Sequence, residues 1–91
     1  MISSLSNVKI KRVRRLQEQR RFRRREGLYV VEGTRWIVDG VEQGVLFVEL
    51  FYTAVWQSQN PSLFDQLSLR PILVSDEVMA VMSDVDTSPG V

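Results

Sequence analysis

The first apolar positions of the chain recur at helical spacing. Ile10, Val13 and Leu16 are three residues apart, which places them on one stripe of a helix predicted over residues 7–19. Asn7 precedes the stripe and is a suitable N-cap. Lysines and arginines take the rest of the circumference, so this helix is predicted to cover a core with one face and to present charge on the others.

A different pattern follows this helix. Leu28–Val31 is a continuous apolar run between Gly27 and Gly33. Such a short run with a β-branched end predicts a central strand that is buried on both faces. The first helix is expected to fray somewhere within residues 20–27, with Gly27 ending the transition.

Helices and strands then alternate to the end of the chain. A helix is predicted over Thr34–Gln43 with Gly44 as its C-cap, and Gly40 inside it costs about 1 kcal/mol relative to alanine, so packing must support it. The remaining predicted elements are a strand over Leu46–Thr53, a short helix from Asn60 to about Leu67 with Ser62 and Asp65 as a capping box, a strand over Pro71–Val74 and a last helix capped by Ser75. Alternation of this kind predicts an α/β fold with a largely parallel sheet covered on both faces. Three strands leave room for a fourth strand or a partner.

The composition excludes most catalytic chemistry. The 91 residues fit one domain, and with no cysteine or histidine the chain has no disulfide, no zinc site and no Ser-His or Cys-His nucleophile. The glycines form no phosphate-binding motif, which predicts no cofactor site. The acidic pairs Asp76/Glu77 and Asp84/Asp86 fit helix N-terminal charge and an exposed turn better than acid–base catalysis. We expect no catalytic residue and no metal in this chain, and no catalysis by it alone.

Hydropathy predicts a soluble protein of the cytoplasm. The longest apolar tract, residues 44–56, contains Glu49 and is shorter than the roughly 20 residues that span a bilayer. The N-terminus has no apolar segment before its charges and so does not resemble a secretory signal.

The net charge of +1 hides a strong polarity along the chain. Residues 1–35 hold eleven Lys/Arg against three Glu, whereas residues 36–91 hold only Arg70 against eight acids. A basic helix over residues 9–25 would be about 25 Å long and could face several phosphates of a nucleic acid. Arginine also suits bidentate phosphate contacts and stacking on unpaired bases. The predicted RNA-binding residues are Lys9, Lys11, Arg12, Arg15, Arg20, Arg21, Arg23, Arg24, Arg25 and Arg35.

Three interpretations of this basic run stay open: a nucleic-acid surface, a solvated face and an anionic membrane surface. The first is favoured because Glu18 and Glu26 are the only acids near so many repelling cations. Phe22 inside the run fits a core anchor better than a base-stacking residue. Arg35 could pair with Asp39 or Glu32, or contact RNA beside the run.

Short motifs give the chain a family resemblance. Ile2-x-Ser4-x-x-Asn7-x-x-Ile10-Lys11, then Phe22-Arg23-Arg24, the block EGLYVVEGTR at residues 26–35 and the closing segment TSPGV at residues 87–91 resemble the N-terminal substrate-binding domain of SpoU-type RNA 2′-O-ribose methyltransferases. The block at residues 26–35 is the most specific of these. The chain has Val8 where the family often has proline after the asparagine, and it lacks a glutamine between Pro89 and Gly90.

The resemblance implies a small three-layer α/β/α sandwich similar to ribosomal proteins that bind kinked RNA. It implies that residues 1–85 bind rRNA or tRNA and that residues 86–91 begin a linker to a knotted catalytic domain. That domain would bind S-adenosylmethionine and form the homodimer. The leading hypothesis is therefore an RNA substrate-recognition domain of a methyltransferase. A stand-alone RNA-binding module like a small ribosomal protein and a protein-interaction domain using a sheet edge are the alternatives.

Overall fold

A parallel sheet lies at the centre of the computed structural model, which describes residues 1–67, 69–84, 88 and 90. Strand β1 (Phe51–Tyr52) pairs with β2 (Ile72–Leu73), with Phe51 opposite Ile72 and Tyr52 opposite Leu73. Two hydrogen bonds extend the pairing beyond these short strands, because the N–H of Ile72 donates to Leu50 O (2.8 Å) and that of Val74 to Tyr52 O (2.9 Å). The small parallel sheet that the alternation predicted is confirmed.

The N-terminus supplies a further sheet partner that the sequence did not indicate. Ile2 forms a parallel bridge with Val74 on the free side of β2. Its N–H donates to Leu73 O, and its carbonyl accepts from the Ser75 N–H, both at 2.9 Å. The order across the sheet is therefore Ile2, β2, β1, and the far edge of β1 has no strand beside it among the described residues.

Helices precede, connect and follow the strands in the described part of the chain. They are α1 (Val8–Glu18), α2 (Arg20–Glu26), α3 (Thr34–Gln43), α4 (Ala54–Gln59), α5 (Pro61–Asp65) and α6 (Asp76–Met82). Asn7 caps the start of α1 by accepting from the Lys9 N–H, and Ser75 caps α6 by accepting from the Val78 N–H. Gly44, at φ 69°, ends α3 in the left-handed region as predicted.

Alternate strand residues point to opposite faces, so each face of the sheet carries its own core. On one face Phe51, Ile72 and Val74 pack with Ile2 and with buried residues of α1 and α6. On the other face Leu50, Tyr52 and Leu73 pack with buried or half-buried residues of α3, α4 and α5. Helices on both sides of a sheet give the expected three layers, and the α/β fold class is confirmed.

The predicted central strand over Leu28–Val31 is wrong. Gly27 at φ 66° ends α2, and the Leu28 N–H turns back to Arg23 O (3.3 Å) instead of joining a sheet. Residues 29–32 make no backbone hydrogen bond within the described residues, and the Tyr29 side chain is 75% exposed. The run has no strand beside it among the described residues, and of its side chains Val30 packs half-buried against the core formed with α1 and α6.

Three predicted boundaries also change. Residues 20–26 form a helix instead of fraying, and the strand predicted over 46–53 shrinks to β1. The Thr53 hydroxyl accepts from the Trp56 N–H (3.3 Å), which starts the unpredicted helix α4.

Helix α5 begins at Pro61, whose fixed φ suits the first helical position, so the capping box of Ser62 and Asp65 does not form. The predicted break after Met82 falls largely outside the described residues. Within it, Gly90 O accepts from the Thr53 N–H at 3.0 Å.

Candidate nucleic-acid interface

The cations of α1 lie on the surface because its apolar stripe faces inward. Ile10, Val13 and Leu16 are buried, as the spacing predicted. Lys9 Nζ lies 2.7 Å from Glu49 Oε2, and Arg12 Nη1 lies 3.4 Å from Glu49 Oε1. Glu49 comes from the segment before β1, so two predicted RNA-binding cations are instead held against the body of the protein.

The basic run changes direction at a single residue. Gln19 is extended (φ −117°, ψ 103°) and separates α1 from α2. Phe22 of α2 is 7% exposed, and the guanidinium carbons of Arg15 and Arg25 lie 4.0 and 5.1 Å from the centre of its ring. Phe22 is therefore the anchor that the sequence favoured, and these two arginines cover it by cation–π contact.

Arg23 has a structural role at the end of α1. Its Nη1 donates to Leu16 O (2.7 Å) and Gln17 O (2.9 Å), two carbonyls in the last turn that have no partner inside the helix. A cation at a helix C-terminus is also favoured by the macrodipole. Arg23 thus joins α2 to α1 and has fewer donors left for a ligand.

Four of the predicted cations remain available to a ligand. They are exposed and have no ion-pair or hydrogen-bond partner among the described residues: Lys11, Arg20, Arg21 and Arg24. Arg20 and Arg24 are one helical turn apart on α2. They line an open basic recess of about 330 Å³, formed by Arg20, Arg23, Arg24, Gly27, Leu28 and Tyr29.

Arg35 stands apart from this basic recess. Its side chain is 94% exposed at the start of α3, and its Nε lies 3.9 Å from Asp39 Oδ2, a loose pair in solvent. Glu32 does not pair with it, because its carboxylate accepts from Ser83 Oγ (2.7 Å) and the Asp84 N–H (2.9 Å). Of the two acidic residues predicted as possible partners, Asp39 is the one that pairs with Arg35.

A large apolar cleft lies on the other side of residues 28–31 and was not predicted. Its volume is about 420 Å³, and segments 27–32 and 45–51 form two of its walls. Trp36 and Leu46 expose 58% and 88% of their surface beside it. Both walls were predicted as paired strands, so no open space between them was expected.

Within residues 1–67 and 69–84 and the described tail positions, no three His, Cys, Asp or Glu side chains gather where they could hold a metal ion. No helix in that part of the chain is both long and apolar enough to cross a bilayer. The site therefore consists of unpartnered cations, of which Arg20 and Arg24 line one recess with the exposed Tyr29, a donor set that suits phosphate groups and aromatic bases.

Comparison with known proteins places this arrangement in a family. The family model described as the MRM3-like substrate binding domain matches residues 7–91. The chain belongs to this family. It is also 37% identical over 93 residues to an uncharacterized tRNA/rRNA methyltransferase of Synechocystis sp., and the match covers 99% of this chain and 34% of the relative. No solved structure matches.

Membership of this substrate-binding family confirms the resemblance drawn from the motifs at residues 2–11, 22–24 and 26–35. The chain spans about a third of the length of the curated relative that it matches. Family membership says that the domain binds a substrate, and the geometry of α2 says which of its side chains are available to do so.

Proposed function

We propose that this chain is the RNA substrate-recognition domain of an rRNA or tRNA 2′-O-ribose methyltransferase and that it recruits structured RNA through α2. The single observation that carries the proposal is the set of unpartnered cations on that helix. Arg20, Arg21 and Arg24 are exposed and form no ion pair within 4.0 Å among the described residues. A bound polyanion would relieve their mutual repulsion.

The rest of the enzyme is proposed from the family and its relative. We assign S-adenosylmethionine and homodimer formation to a catalytic domain that follows a linker beginning near residue 86, in a cytoplasmic enzyme.

Binding of a structured RNA to two charge-matched variants tests the proposal. Arg20→Ala/Arg24→Ala removes two charges from α2, and Arg70→Glu changes the net charge by the same amount at the one cation outside the basic half. We expect the first variant to lose about tenfold in affinity. Its affinity should also depend less steeply on salt, with the magnitude of the slope of log K against log salt reduced by about 1.4, since each lost phosphate contact removes about 0.7.

The Arg70→Glu control is expected to change affinity by about twofold or less, through the long-range field alone. Equal losses in the two variants would mean that net charge and not α2 determines binding. Wild-type affinity that does not vary with salt would overturn the proposal itself.

A further inference from the structure

Tyr29 occupies an unusual position for a large aromatic residue. The left-handed turn at Gly27 (φ 66°) reverses the chain after α2 and places Tyr29 beside that helix with its ring 75% exposed. The ring makes no aromatic or cation–π contact with a described residue. It lines the basic recess together with Arg20, Arg23 and Arg24 of α2.

The arginines of the recess differ in role: one stabilises the fold, and two are free to bind a ligand. Arg23 is held by Leu16 O and Gln17 O and forms part of the wall. Arg20 and Arg24 line the same recess with no partner among the described residues. A ligand there meets two guanidinium groups and one aromatic face.

We propose that the basic recess binds one unpaired nucleotide of the RNA, with its base stacked on Tyr29 and its flanking phosphates on Arg20 and Arg24. The proposal rests on the proposed function and specifies the form of RNA that this site selects. The recess volume of about 330 Å³ lies at the lower end of the range for small-molecule pockets, which suits a single nucleotide. A base inside a duplex has both faces covered by its neighbours, so only an unstacked base can meet the ring.

The test compares two RNAs with the same stem: a hairpin with a pyrimidine-rich loop and a blunt duplex. The intact 91-residue chain is expected to bind the hairpin more tightly. Tyr29→Ala and Tyr29→Leu should each lose about 5- to 100-fold in affinity for the hairpin, the range that stacking on one base supplies. Tyr29→Phe keeps the ring and should stay within about twofold of wild type.

A fluorescent base reports stacking directly. A 2-aminopurine placed in the loop should be quenched by the wild type and by Tyr29→Phe, and quenched much less by Tyr29→Leu, which keeps apolar bulk but has no aromatic face. Because Tyr29 is exposed, all three variants should unfold at the wild-type temperature, which separates a binding loss from a folding loss.

The outcomes distinguish the two proposals. If the wild type binds neither RNA in a salt-dependent way, the proposed function fails. If it binds both RNAs equally and Tyr29→Leu matches wild type, RNA binding by α2 stands and the nucleotide site is overturned. Loss in Tyr29→Leu with retention in Tyr29→Phe supports the site.

Discussion

Helices α1 and α2 carry one continuous basic run, yet their cations are used differently. On α1, Lys9 and Arg12 pair with Glu49, and Arg14 pairs with Glu18 one turn away. On α2, Arg20, Arg21 and Arg24 have no partner among the described residues. The reason is packing: α1 buries a three-residue stripe against the sheet, which brings acids and carbonyls within reach.

Helix α2 touches the body of the protein through far less surface. Phe22 is its one buried residue, and the guanidinium groups of Arg15 and Arg25 lie over its ring. The number of cations in the sequence therefore differs from the number that are free to bind a ligand. A cation is available to a partner where the local packing brings it no acceptor, which holds for Arg20, Arg21 and Arg24 on α2 and for Lys11 on α1.

The largest effect is expected from removing the residue that anchors α2 to the body of the protein, Phe22. Phe22→Ala should cost about 3 kcal/mol in the free energy of unfolding, because it deletes a buried ring and the two guanidinium contacts on it. Chemical denaturation measures the change. Tyr29→Ala is the matched control, since it removes an exposed ring and should cost less than about 0.5 kcal/mol. Similar losses at both positions would contradict the anchoring role.

Two neighbouring arginines on α2 give the sharpest contrast. Arg23→Ala should destabilise the fold by about 1–2 kcal/mol, because two carbonyls at the end of α1 lose a charged donor. Arg24→Ala, one residue further, should leave stability within about 0.5 kcal/mol. RNA affinity is expected to follow the reverse order at constant folded fraction. A stability loss at Arg24 as large as that at Arg23 would remove the distinction between them.

The turn between α2 and Tyr29 can be strained without removing any contact. Gly27→Ala forces an L-residue into φ 66° and should cost about 1 kcal/mol in stability. Nothing lies within 4 Å of the added methyl group, so a crowding effect is not expected. Gly27→Asn, which tolerates this conformation better, should recover part of the loss in the same denaturation experiment.

The smallest effect concerns the acid that holds α1. Glu49→Gln releases Lys9 and Arg12 and should raise RNA affinity by about two- to threefold, while lowering stability by less than about 1 kcal/mol. Gln59→Glu is the control: it lies on α4, outside these ion pairs, and adds one negative charge where Glu49→Gln removes one. Unchanged affinity in Glu49→Gln would indicate that the α1 cations face away from the RNA.

Local signals predicted the elements whose causes are local. The bounds of α3 follow from its spacing and from Gly44, and those of α1 from the stripe and from Asn7. Whether residues 28–31 form a strand could not be predicted from local signals. The apolar pattern indicates that the residues are to be buried, but it does not identify a neighbouring strand that would pair with them. Helix α4 depends on one hydroxyl, Thr53, inside an apolar tract that resembled a strand.

The candidate site was predictable as a region but not residue by residue. Composition located the basic run, and all ten predicted cations are exposed or half-buried. Which of them are free depends on acceptors distant in sequence, above all Glu49, which lies 37 residues from Arg12. The role of Tyr29 depends on the left-handed turn at Gly27, which the sequence indicated only as a boundary.

The loop at residues 27–29 has one consequence for how the surface can respond to a partner. Gly27, Leu28 and Tyr29 line both the basic recess and the apolar cleft, so a single strip of backbone is a partition between two compartments. The backbone of residues 29–32 has no hydrogen-bonded neighbour within the described residues, but both ends of this stretch are held. The Gly27 and Leu28 N–H groups donate to Arg23 O, and the Glu32 carboxylate accepts from Ser83 and Asp84, so a shift of the partition is limited to the residues between these ends. Space gained in one compartment is space lost in the other.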